Sequence, residues 1–479
     1  MNYSVIRYVT GHTMLLVGAL MLPSCIVSII YGESAALAIA LSAAVCAVSG
    51  LLIKPRKLKN ATFFAKEGYV TVALSWIIIS IMGSLPFLLS GAITNPVDAV
   101  FEAVSGFTTT GASILSDVEA LPMGILFWRS FTHWIGGMGV LVFLLTLLPM
   151  TGGSHMNLMK AESPGPSVSR LAPKVQTTAK ILYGIYIWMT IIEIVLLLLG
   201  DMPLFDALTL SFGTAGTGGF GILNNSIAGY STYNQVVITI FMILFGINFN
   251  AFYFILLKHF REALAMEEVR AYLLIIAASV LMITANIAHL YDNVLIAFQQ
   301  SAFQVASIIT TTGYSTTDFN TWPEISRTIL VMLMFIGACA GSTGGGMKVS
   351  RFLIWFKTVA KEIRLYLHPK SVKQIKMDGK TIAPEVVRST NVYLVVYMII
   401  FAVSVLLIAV DNFDSTTNFT AVAATLNNIG PGLNQVGPMS NFSIFSNFST
   451  IILTIDMLAG RLELFPMLLL FSKDTWKKF

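Results

Sequence analysis

The sequence predicts an all-α polytopic membrane protein, in which an N-terminal two-helix hairpin precedes four pseudo-symmetric repeats of a helix, a re-entrant loop and a second helix. The composition is 56% hydrophobic and only 11% charged, far below the roughly 25% charged residues of soluble domains. Apolar runs of about 20 residues, long enough to cross a bilayer, recur to the C-terminus. In lipid, helices can satisfy the backbone internally. A Thr/Gly-rich stretch that recurs four times predicts the repeats.

The N-terminal hairpin occupies residues 1–66, with spanning helices expected at residues 11–31 and 34–53. The first apolar run lacks a small-residue cleavage site and leads straight into the second run, so we expect it to remain in the protein rather than to act as a signal peptide. Four repeats follow, at residues 67–150, 151–261, 262–357 and 358–479. The second and fourth repeats begin with a cytoplasmic segment.

The basic residues are sorted by side of the membrane. If Arg7 is cytoplasmic, alternate crossings put all but three of the 29 Lys and Arg residues on the same face, and the exceptions are Arg129, Arg327 and Arg461. This distribution is the positive-inside pattern, and it predicts that both termini are cytoplasmic in a multi-pass protein of the plasma (cell inner) membrane. The net charge of +5 is therefore an insertion signal and does not indicate a nucleic-acid partner.

Each repeat carries one Thr/Gly-rich stretch. The stretches are residues 108–113 (TTTGAS), 216–221 (GTGGFG), 310–315 (TTTGYS) and 427–432 (NNIGPG). Aligned on Gly111, Gly219, Gly313 and Gly430, they lie about 100 residues apart, which suits two crossings and a re-entrant loop. The first two repeats also share an acid upstream of the glycine, Asp98 and Asp206, where the others have Gln300 and Thr417.

A helix of the length between that acid and the glycine rises roughly 20 Å, enough to enter the membrane but not to cross it. The Thr/Gly stretch must then return as non-helical backbone, which is tolerated at membrane depth only against protein or a water-filled path. Four such returns around one axis predict a pore.

Rings of backbone carbonyls can replace the hydration shell of K⁺, and glycine lets carbonyls turn toward one axis because it accepts positive φ and has no Cβ. The alternative is that the small residues only pack helices closely. Under the pore hypothesis, potassium is the metal bound, and the candidate filter residues are Thr109, Thr110, Gly111, Gly218, Gly219, Thr311, Thr312, Gly313, Asn428, Ile429 and Gly430.

The chain resembles the Trk/Ktr/HKT superfamily of cation transporters, in particular its bacterial Trk-type potassium uptake membrane subunits. The resemblance covers essentially the whole chain and rests on the four stretches, the extra N-terminal helix pair, residues 161–166 (AESPGP) and residues 341–346 (GSTGGG). In that superfamily, glycine in all four filters goes with K⁺ permeation. The sequence departs from fourfold regularity at Gly218 and around Ile429 and Pro431.

The resemblance implies channel-like K⁺ uptake, with K⁺ as the transported ion and no cofactor bound by this chain. It also implies membrane lipid, a second copy of the chain in a homodimer, and a cytosolic nucleotide-binding regulatory ring subunit as partners. The alternative function is a proton- or Na⁺-coupled secondary K⁺ transporter, whose sites would come from paired broken helices.

Residues 337–346 contain five glycines within the second helix of repeat three. Each interior glycine costs about 1 kcal/mol relative to alanine, so we expect an intramembrane loop under the filter rather than a continuous helix. The alternative is a tight helix-packing face. The resemblance makes this loop the gate, formed by Gly341, Ser342, Thr343, Gly344, Gly345 and Gly346, with Arg461. The loop also imitates a phosphate-binding motif, but Met347 precedes Lys348 and no strand leads into it.

Arg461 lies midway along the last predicted helix, where a charge normally faces a partner or a water-filled cavity. A tertiary ion pair and a position in the pore below the filter, which the resemblance implies, are both open. Glu193 is a second intramembrane charge, explained equally by a structural hydrogen bond or by proton coupling.

Other classes of site lack their sequence signatures. The three cysteines, Cys25, Cys46 and Cys339, have apolar surroundings and no metal-type spacing, so neither disulfides nor a zinc site are expected. Neither an H-E-x-x-H nor a G-x-S-x-G motif occurs. We therefore do not expect an enzyme.

Overall fold

Helices form most of the chain that the computed structural model describes, namely residues 2–55, 65–139, 175–370 and 374–477. The first part contains α1 (Tyr3–Leu20), α2 (Leu22–Ile30) and α3 (Ala35–Ile53), and the second contains α4 (Ala65–Gly83), α5 (Leu85–Leu89), α6 (Pro96–Phe107) and α7 (Met123–Gly137). The third contains α8 (Val175–Leu199), α9 (Leu204–Gly216), α10 (Thr232–Phe245), α11 (Phe249–Leu256), α12 (Phe260–Ala265), α13 (Glu267–Ile287), α14 (Val294–Ile309), α15 (Glu324–Ile336) and α16 (Val349–Leu367). The last contains β1 (Lys376–Met377), β2 (Lys380–Thr381), α17 (Pro384–Ile408), α18 (Ser415–Leu426), α19 (Asn447–Arg461), α20 (Phe465–Phe471) and α21 (Lys473–Trp476).

Six helices in the described part of the chain are long and apolar enough to cross a membrane. They are Tyr3–Ile30, Ala35–Ile53, Lys66–Leu89, Ala179–Leu199, Glu267–Leu290 and Pro384–Asp411. The predicted all-α polytopic class is confirmed. The first span begins at Tyr3, before the predicted residue 11, because polar residues of its first turns are accommodated within the helix.

The N-terminal hairpin is held by close backbone packing between α1 and α3. A Cβ on Gly11 would lie 2.9 Å from the Gly50 carbonyl oxygen, and a Cβ on Gly18 would lie 2.9 Å from the Ala43 carbonyl oxygen. Small residues let membrane helices approach in this way. The Arg7 guanidinium reaches the Ile53 carbonyl oxygen at 3.3 Å, so the start of α1 and the end of α3 lie at the same end of the hairpin.

In each repeat, the helix that leads into the Thr/Gly-rich stretch is too short to span a membrane. We call these four helices pore helices 1 to 4 (α6, α9, α14 and α18). The longest of them, α14, has 16 residues. Each is preceded by a spanning helix, α4, α8, α13 or α17, and is followed by one of the Thr/Gly-rich stretches, which we call filter segments 1 to 4 in chain order.

The second helices of repeats two, three and four are all interrupted. α10 and α11 bend by 94° at residues 246–248, α15 and α16 are separated by residues 337–348, and α19 and α20 by residues 462–464. Sequence analysis predicted only the interruption in repeat three. The others involve one glycine or none, so the composition gave no comparable signal.

A two-stranded antiparallel hairpin lies between α16 and α17 and pairs Met377 with Lys380. Its turn residues, Asp378 (φ +51°) and Gly379 (φ +74°), both have positive φ, as a two-residue type I′ hairpin turn requires. Sequence analysis missed this hairpin, although the Asp-Gly dipeptide was the signal for it.

Candidate functional site

Three of the four pore helices start with side-chain caps, and all four end at the filter segments. Asn95, Asn293 and Asp414 cap pore helices 1, 3 and 4 by accepting backbone N–H bonds. The Thr417 hydroxyl and N–H both donate to Asp414, and the hydroxyl bond is the main reason that the pKa of this carboxyl lies below its usual value. Capping fixes the N-terminal ends, so the partly negative C-terminal ends face the filter segments, where they favour a cation.

All four pore helices end in the same backbone motif. The N–H groups of Thr110, Gly218, Thr312 and Ile429 each donate to the carbonyl five residues earlier, at 2.8 to 2.9 Å. The preceding residues, Thr109, Thr217, Thr311 and Asn428, all lie in the left-handed region, with φ between +55° and +60°. This is a Schellman termination, in which glycine normally takes the left-handed position. Three threonines there, each β-branched, mark a conformation that the surrounding structure imposes.

The aligned glycines also share one conformation, with φ of +80° at Gly111, +76° at Gly219, +85° at Gly313 and +100° at Gly430. A Cβ added to any of these glycines would meet a backbone carbonyl oxygen of another segment. In each case that oxygen belongs to the residue immediately before the aligned glycine of that other segment. Gly111 meets Gly218, Gly219 meets Thr312, Gly313 meets Ile429, and Gly430 meets Thr110 at 2.9 Å. The contacts run from segment 1 to 2, 3, 4 and back to 1, so the segments form a closed ring.

The loops that follow the filter segments, which we call the outer loops (residues 114–122, 222–231, 316–323 and 433–446), make hydrogen bonds to neighbouring repeats in this same order. Asn224 joins the loop of repeat two to Asp117 and Val118 of repeat one. The Ile227 N–H donates to the Ser315 carbonyl oxygen, and the Phe442 N–H to the Ser113 carbonyl oxygen. Repeats three and four are joined by a bond from the Asn434 N–H to the Asn320 side chain at 3.0 Å. A cavity of about 130 Å³ opens at the ring, lined by all four aligned glycines.

His133 fastens the first two segments together, which sequence analysis did not foresee. Its Nε2 accepts the Phe220 N–H at 3.3 Å, and its Nδ1 lies 2.8 Å from the Gly106 carbonyl oxygen. Since Nε2 accepts, Nδ1 carries the proton that is donated to Gly106. A Cβ on Gly218 would collide with the His133 ring. The extra glycine of segment 2 is therefore explained by space for this ring.

A buried ion pair supports the first outer loop and was likewise missed. Arg129 Nε lies 2.5 Å from Glu102 Oε1, and both side chains are at most 3% exposed. Glu102 also accepts bonds from the Ser113 hydroxyl and the Ile114 N–H, and the Arg129 guanidinium stacks on Phe220 at 3.6 Å. Glu102 lies on pore helix 1 and Arg129 on α7, 27 residues apart. Their separation left no local spacing signal.

The threonine hydroxyls of the segments bond to protein partners. Thr108 pairs with Thr110 at 2.8 Å, and Thr310 pairs with Thr312 at 2.7 Å. The Asn428 amide donates to the Thr110 hydroxyl at 2.9 Å, which joins segment 4 to segment 1. These contacts position the segments, and they leave the backbone carbonyls as the groups that can face an ion.

The glycine-rich interruption of repeat three lies directly against the filter segments. The Gly345 N–H donates to the Thr311 hydroxyl at 2.6 Å, and the Gly346 N–H donates to the Asn427 carbonyl oxygen at 3.0 Å. On its other side, the Thr343 hydroxyl bonds to the Phe245 carbonyl oxygen at 3.2 Å, where α10 ends. Gly337, Gly341 and Gly346 have φ near +70°. The predicted interruption of the helix is present, and we call residues 337–348 the inner loop.

Arg461, at the end of α19, spans the inner loop and the first filter segment. Its guanidinium donates to the Thr343 carbonyl oxygen at 3.1 Å and to the Thr109 hydroxyl at 3.2 Å. It also donates to the Gly136 and Gly137 carbonyl oxygens at the end of α7, at 2.5 and 3.1 Å. Arg461 therefore lies between filter segment 1, the inner loop and the end of α7.

Two sequence features stand apart from this site. Glu193 is fully buried, and the Thr214 side chain lies beside its carboxyl group. Its role stays a prediction. Residues 161–166, which contributed to the family resemblance, lie outside the described residues.

Comparisons with known proteins agree on one family. The sequence profile described as "TrkH: Cation transport protein" matches residues 34–478. The chain is 35% identical to the Trk system potassium uptake protein TrkH of Vibrio parahaemolyticus over 99% of both chains, and 33% identical to that of Salmonella typhimurium over 100% of both. The crystal structure of the potassium transporter TrkH from Vibrio parahaemolyticus superposes with a TM-score of 0.89, at 32% identity over 100% of both chains.

Proposed function

We propose that this chain, which belongs to the TrkH family of cation transport proteins, is a potassium uptake transporter that passes K⁺ through the ring of four filter segments in a channel-like manner. The observation that carries the proposal is the fourfold repetition of one backbone conformation around a closed ring, with glycine at the same place in every segment. Carbonyl oxygens so arranged replace the water around a partly dehydrated K⁺.

The filter set is Thr109, Thr110, Gly111, Gly218, Gly219, Thr311, Thr312, Gly313, Asn428, Ile429 and Gly430. Within it, the backbone carbonyls around the aligned glycines act as ligands, and the threonine hydroxyls and the Asn428 amide hold them in place. Gly218 contributes by making room for His133. The four segments differ in side chains, so the K⁺ preference is set by backbone geometry.

The gate in this proposal is the inner loop, with Gly341, Ser342, Thr343, Gly344, Gly345 and Gly346 and the guanidinium of Arg461. The loop contacts segments 3 and 4 from the inner side, and Arg461 connects it to segment 1. A positive charge at that point opposes cation entry, so K⁺ conduction requires both the inner loop and the Arg461 side chain to move.

The alternative function is a proton- or Na⁺-coupled secondary K⁺ transporter, and the buried carboxyl of Glu193 is the observation that favours it. Current-voltage measurements on the reconstituted protein separate the two. A reversal potential that follows the K⁺ gradient alone supports the channel-like pore. A reversal potential that shifts with the proton or Na⁺ gradient at constant K⁺ supports coupling.

The chain is an integral membrane protein, and we place it in the plasma (cell inner) membrane with both termini cytoplasmic, on the distribution of its basic residues. We further propose that it works as a homodimer with a cytosolic nucleotide-binding ring subunit. Co-purification and K⁺ flux with the ring protein of the same organism test that partnership. Flux that is the same in every nucleotide state would contradict it.

A further inference from the structure

Glu268, in the first turn of α13, holds both ends of the inner loop. Its side chain is 4% exposed, and its Oε1 accepts the Ala340 N–H at 2.7 Å and the Ser350 N–H at 3.0 Å. Ala340 precedes the glycine-rich residues, and Ser350 lies at the start of α16. A single carboxylate oxygen therefore fixes the chain where it enters and where it leaves residues 341–346, through charge-assisted bonds in a buried site.

Glu267, the neighbouring residue, faces the hairpin 376–381. The Glu267 N–H donates to Asp378 Oδ1 at 2.7 Å, and the Asp378 N–H donates to Glu267 Oε1 at 3.0 Å. The Lys357 ammonium pairs with the other Glu267 oxygen and donates to the Lys376 carbonyl oxygen at 2.7 Å. The hairpin is thus tied at once to the start of α13 and to the middle of α16.

The geometry makes these contacts one connected unit. Consecutive residues of a helix point about 100° apart but share one turn, so a movement of the start of α13 displaces Glu267 and Glu268 together. The hairpin is stiff because its turn has only two residues, both with positive φ. α16 begins directly after the inner loop and contains Lys357, which pairs with Glu267. The helix therefore connects the inner loop to the contacts of the hairpin.

We infer that Glu267 and Glu268 transmit displacement of the hairpin 376–381 to the gate, with Glu268 as the positioning residue that sets the closed position of the inner loop. This inference rests on the proposed role of residues 341–346 as the gate. In this way the hairpin, although small and exposed, takes part in control of the gate.

The test is a double-mutant cycle measured as K⁺ flux into proteoliposomes of the full chain. Asp378→Gly releases the hairpin from the Glu267 N–H and keeps a residue suited to the turn, and Glu268→Ala releases the inner loop. Each single variant should raise flux. In the Glu268→Ala background, Asp378→Gly should add less than about half of its effect in the parent, because contacting residues in one network are non-additive. Effects that multiply independently would overturn the inference.

A second readout follows the loop itself and does not need a folded Glu268→Ala variant. In a Ser342→Cys protein, the rate of modification by a thiol reagent should rise when Asp378→Gly or Lys357→Met is added. Glu262→Ala, an exposed acid outside this network, is the matched control and should leave the rate unchanged. An unaltered rate in both hairpin variants would overturn the inference while K⁺ flux by the parent continued. Absence of K⁺ flux by the parent would overturn the proposed function and the inference together.

Discussion

Gly111 is the residue at which the filter geometry can be tested most directly. Its φ is +80°, and a Cβ there would collide with the Gly218 carbonyl oxygen of the next segment. Gly111→Ser should lower the permeability ratio of K⁺ to Na⁺ without closing the pore, because the atoms nearest the new Cβ all belong to segment 2, and segments 3 and 4 stay intact. If the left-handed strain of about 1–2 kcal/mol falls on the K⁺-bound state alone, the ratio drops by roughly 5- to 30-fold.

Reversal potentials under mixed K⁺ and Na⁺ measure this ratio, and Gly91→Ser is the matched control. Gly91 has a similar φ of +75° but open space around it. Gly91→Ser introduces the same kind of backbone strain as Gly111→Ser but lies away from the filter segments. The permeability ratio of K⁺ to Na⁺ in Gly91→Ser should therefore equal that of the parent. A Gly111→Ser protein that folds and still discriminates as the parent does would remove Gly111 from the filter.

His133 provides a prediction about stability. His133→Leu replaces the ring with an apolar side chain of similar size and leaves the buried Phe220 N–H without its partner, whereas the Gly106 carbonyl keeps the bond from the Thr109 N–H. At about 1–3 kcal/mol for an unsatisfied buried group, we expect a loss of roughly 1–3 kcal/mol. The thermal unfolding midpoint in detergent should fall clearly, whereas His289→Leu, at an exposed position, should leave it almost unchanged. Equal midpoints for both variants would contradict a fastening role for His133.

Arg461 is predicted to oppose conduction. Two unit charges roughly 8 Å apart at an effective dielectric constant of 20 repel by about 2 kcal/mol, so Arg461→Ala should raise K⁺ flux by up to about 30-fold. Arg461→Lys keeps the charge and should stay closer to the parent. Arg327→Ala, which removes an exposed ion pair with Glu324, is the control. A well-folded Arg461→Ala protein with unchanged flux would show that the charge lies off the ion path.

Some residues of the candidate site could be predicted from the sequence, and others could not. The aligned glycines could be predicted because glycine is what positive φ at close approach requires, and all four have it. The left-handed threonines could not, since Thr109, Thr217 and Thr311 contradict local preference and are held by tertiary contacts. His133 and the pair of Glu102 and Arg129 were missed for a related reason. Their partners lie on other elements, so no spacing along the chain records them.

The inner loop is the element whose removal gives the clearest result. Deleting residues 344–346 takes away the Gly345 and Gly346 contacts with segments 3 and 4, and K⁺ flux should rise several-fold if the loop obstructs the path. The ratio of K⁺ to Na⁺ should change less than it does in Gly111→Ser, because the filter segments remain. Unchanged or lower flux in a correctly folded deletion would favour the packing explanation of these glycines.

The interruptions show how element prediction depends on composition. Five glycines made the break after α15 predictable, since their summed helix penalty exceeds what packing in a continuous helix restores. The 94° bend after α10 has only Gly246 within it. There the inner loop supplies the lost backbone partners, because Cys339 donates to the Gly246 carbonyl oxygen and Phe249 donates to the Gly341 carbonyl oxygen. Because this bend is stabilised by hydrogen bonds with a distant loop, the residues at the bend itself carry no sequence signal that predicts it.

At the scale of the whole molecule, the closed ring and the sidedness of the charges support each other. The ring joins filter segments and outer loops in the same order, so the outer loops lie together at one face. At the other face, the Lys66 ammonium donates to the Asp474 carbonyl oxygen at 2.7 Å, which brings the start of repeat one to the C-terminal helix α21. Which of the two faces is cytoplasmic stays a prediction from the basic residues, because membrane insertion follows charge and not tertiary contacts.

Cysteine labelling in whole cells tests that orientation. We expect an exposed cysteine at Asn225→Cys, in the outer loop of repeat two, to react with a membrane-impermeant maleimide in intact cells. Lys380→Cys, in the hairpin, should react only after permeabilisation, because the positive-inside pattern predicts that the hairpin and the basic segments are cytoplasmic. The background chain carries Cys25→Ser and keeps Cys46 and Cys339, which are fully buried, so it should stay unlabelled in both conditions. Labelling of Lys380→Cys in intact cells, with Asn225→Cys protected, would reverse the topology and place the inner loop and Arg461 on the outer side of the filter.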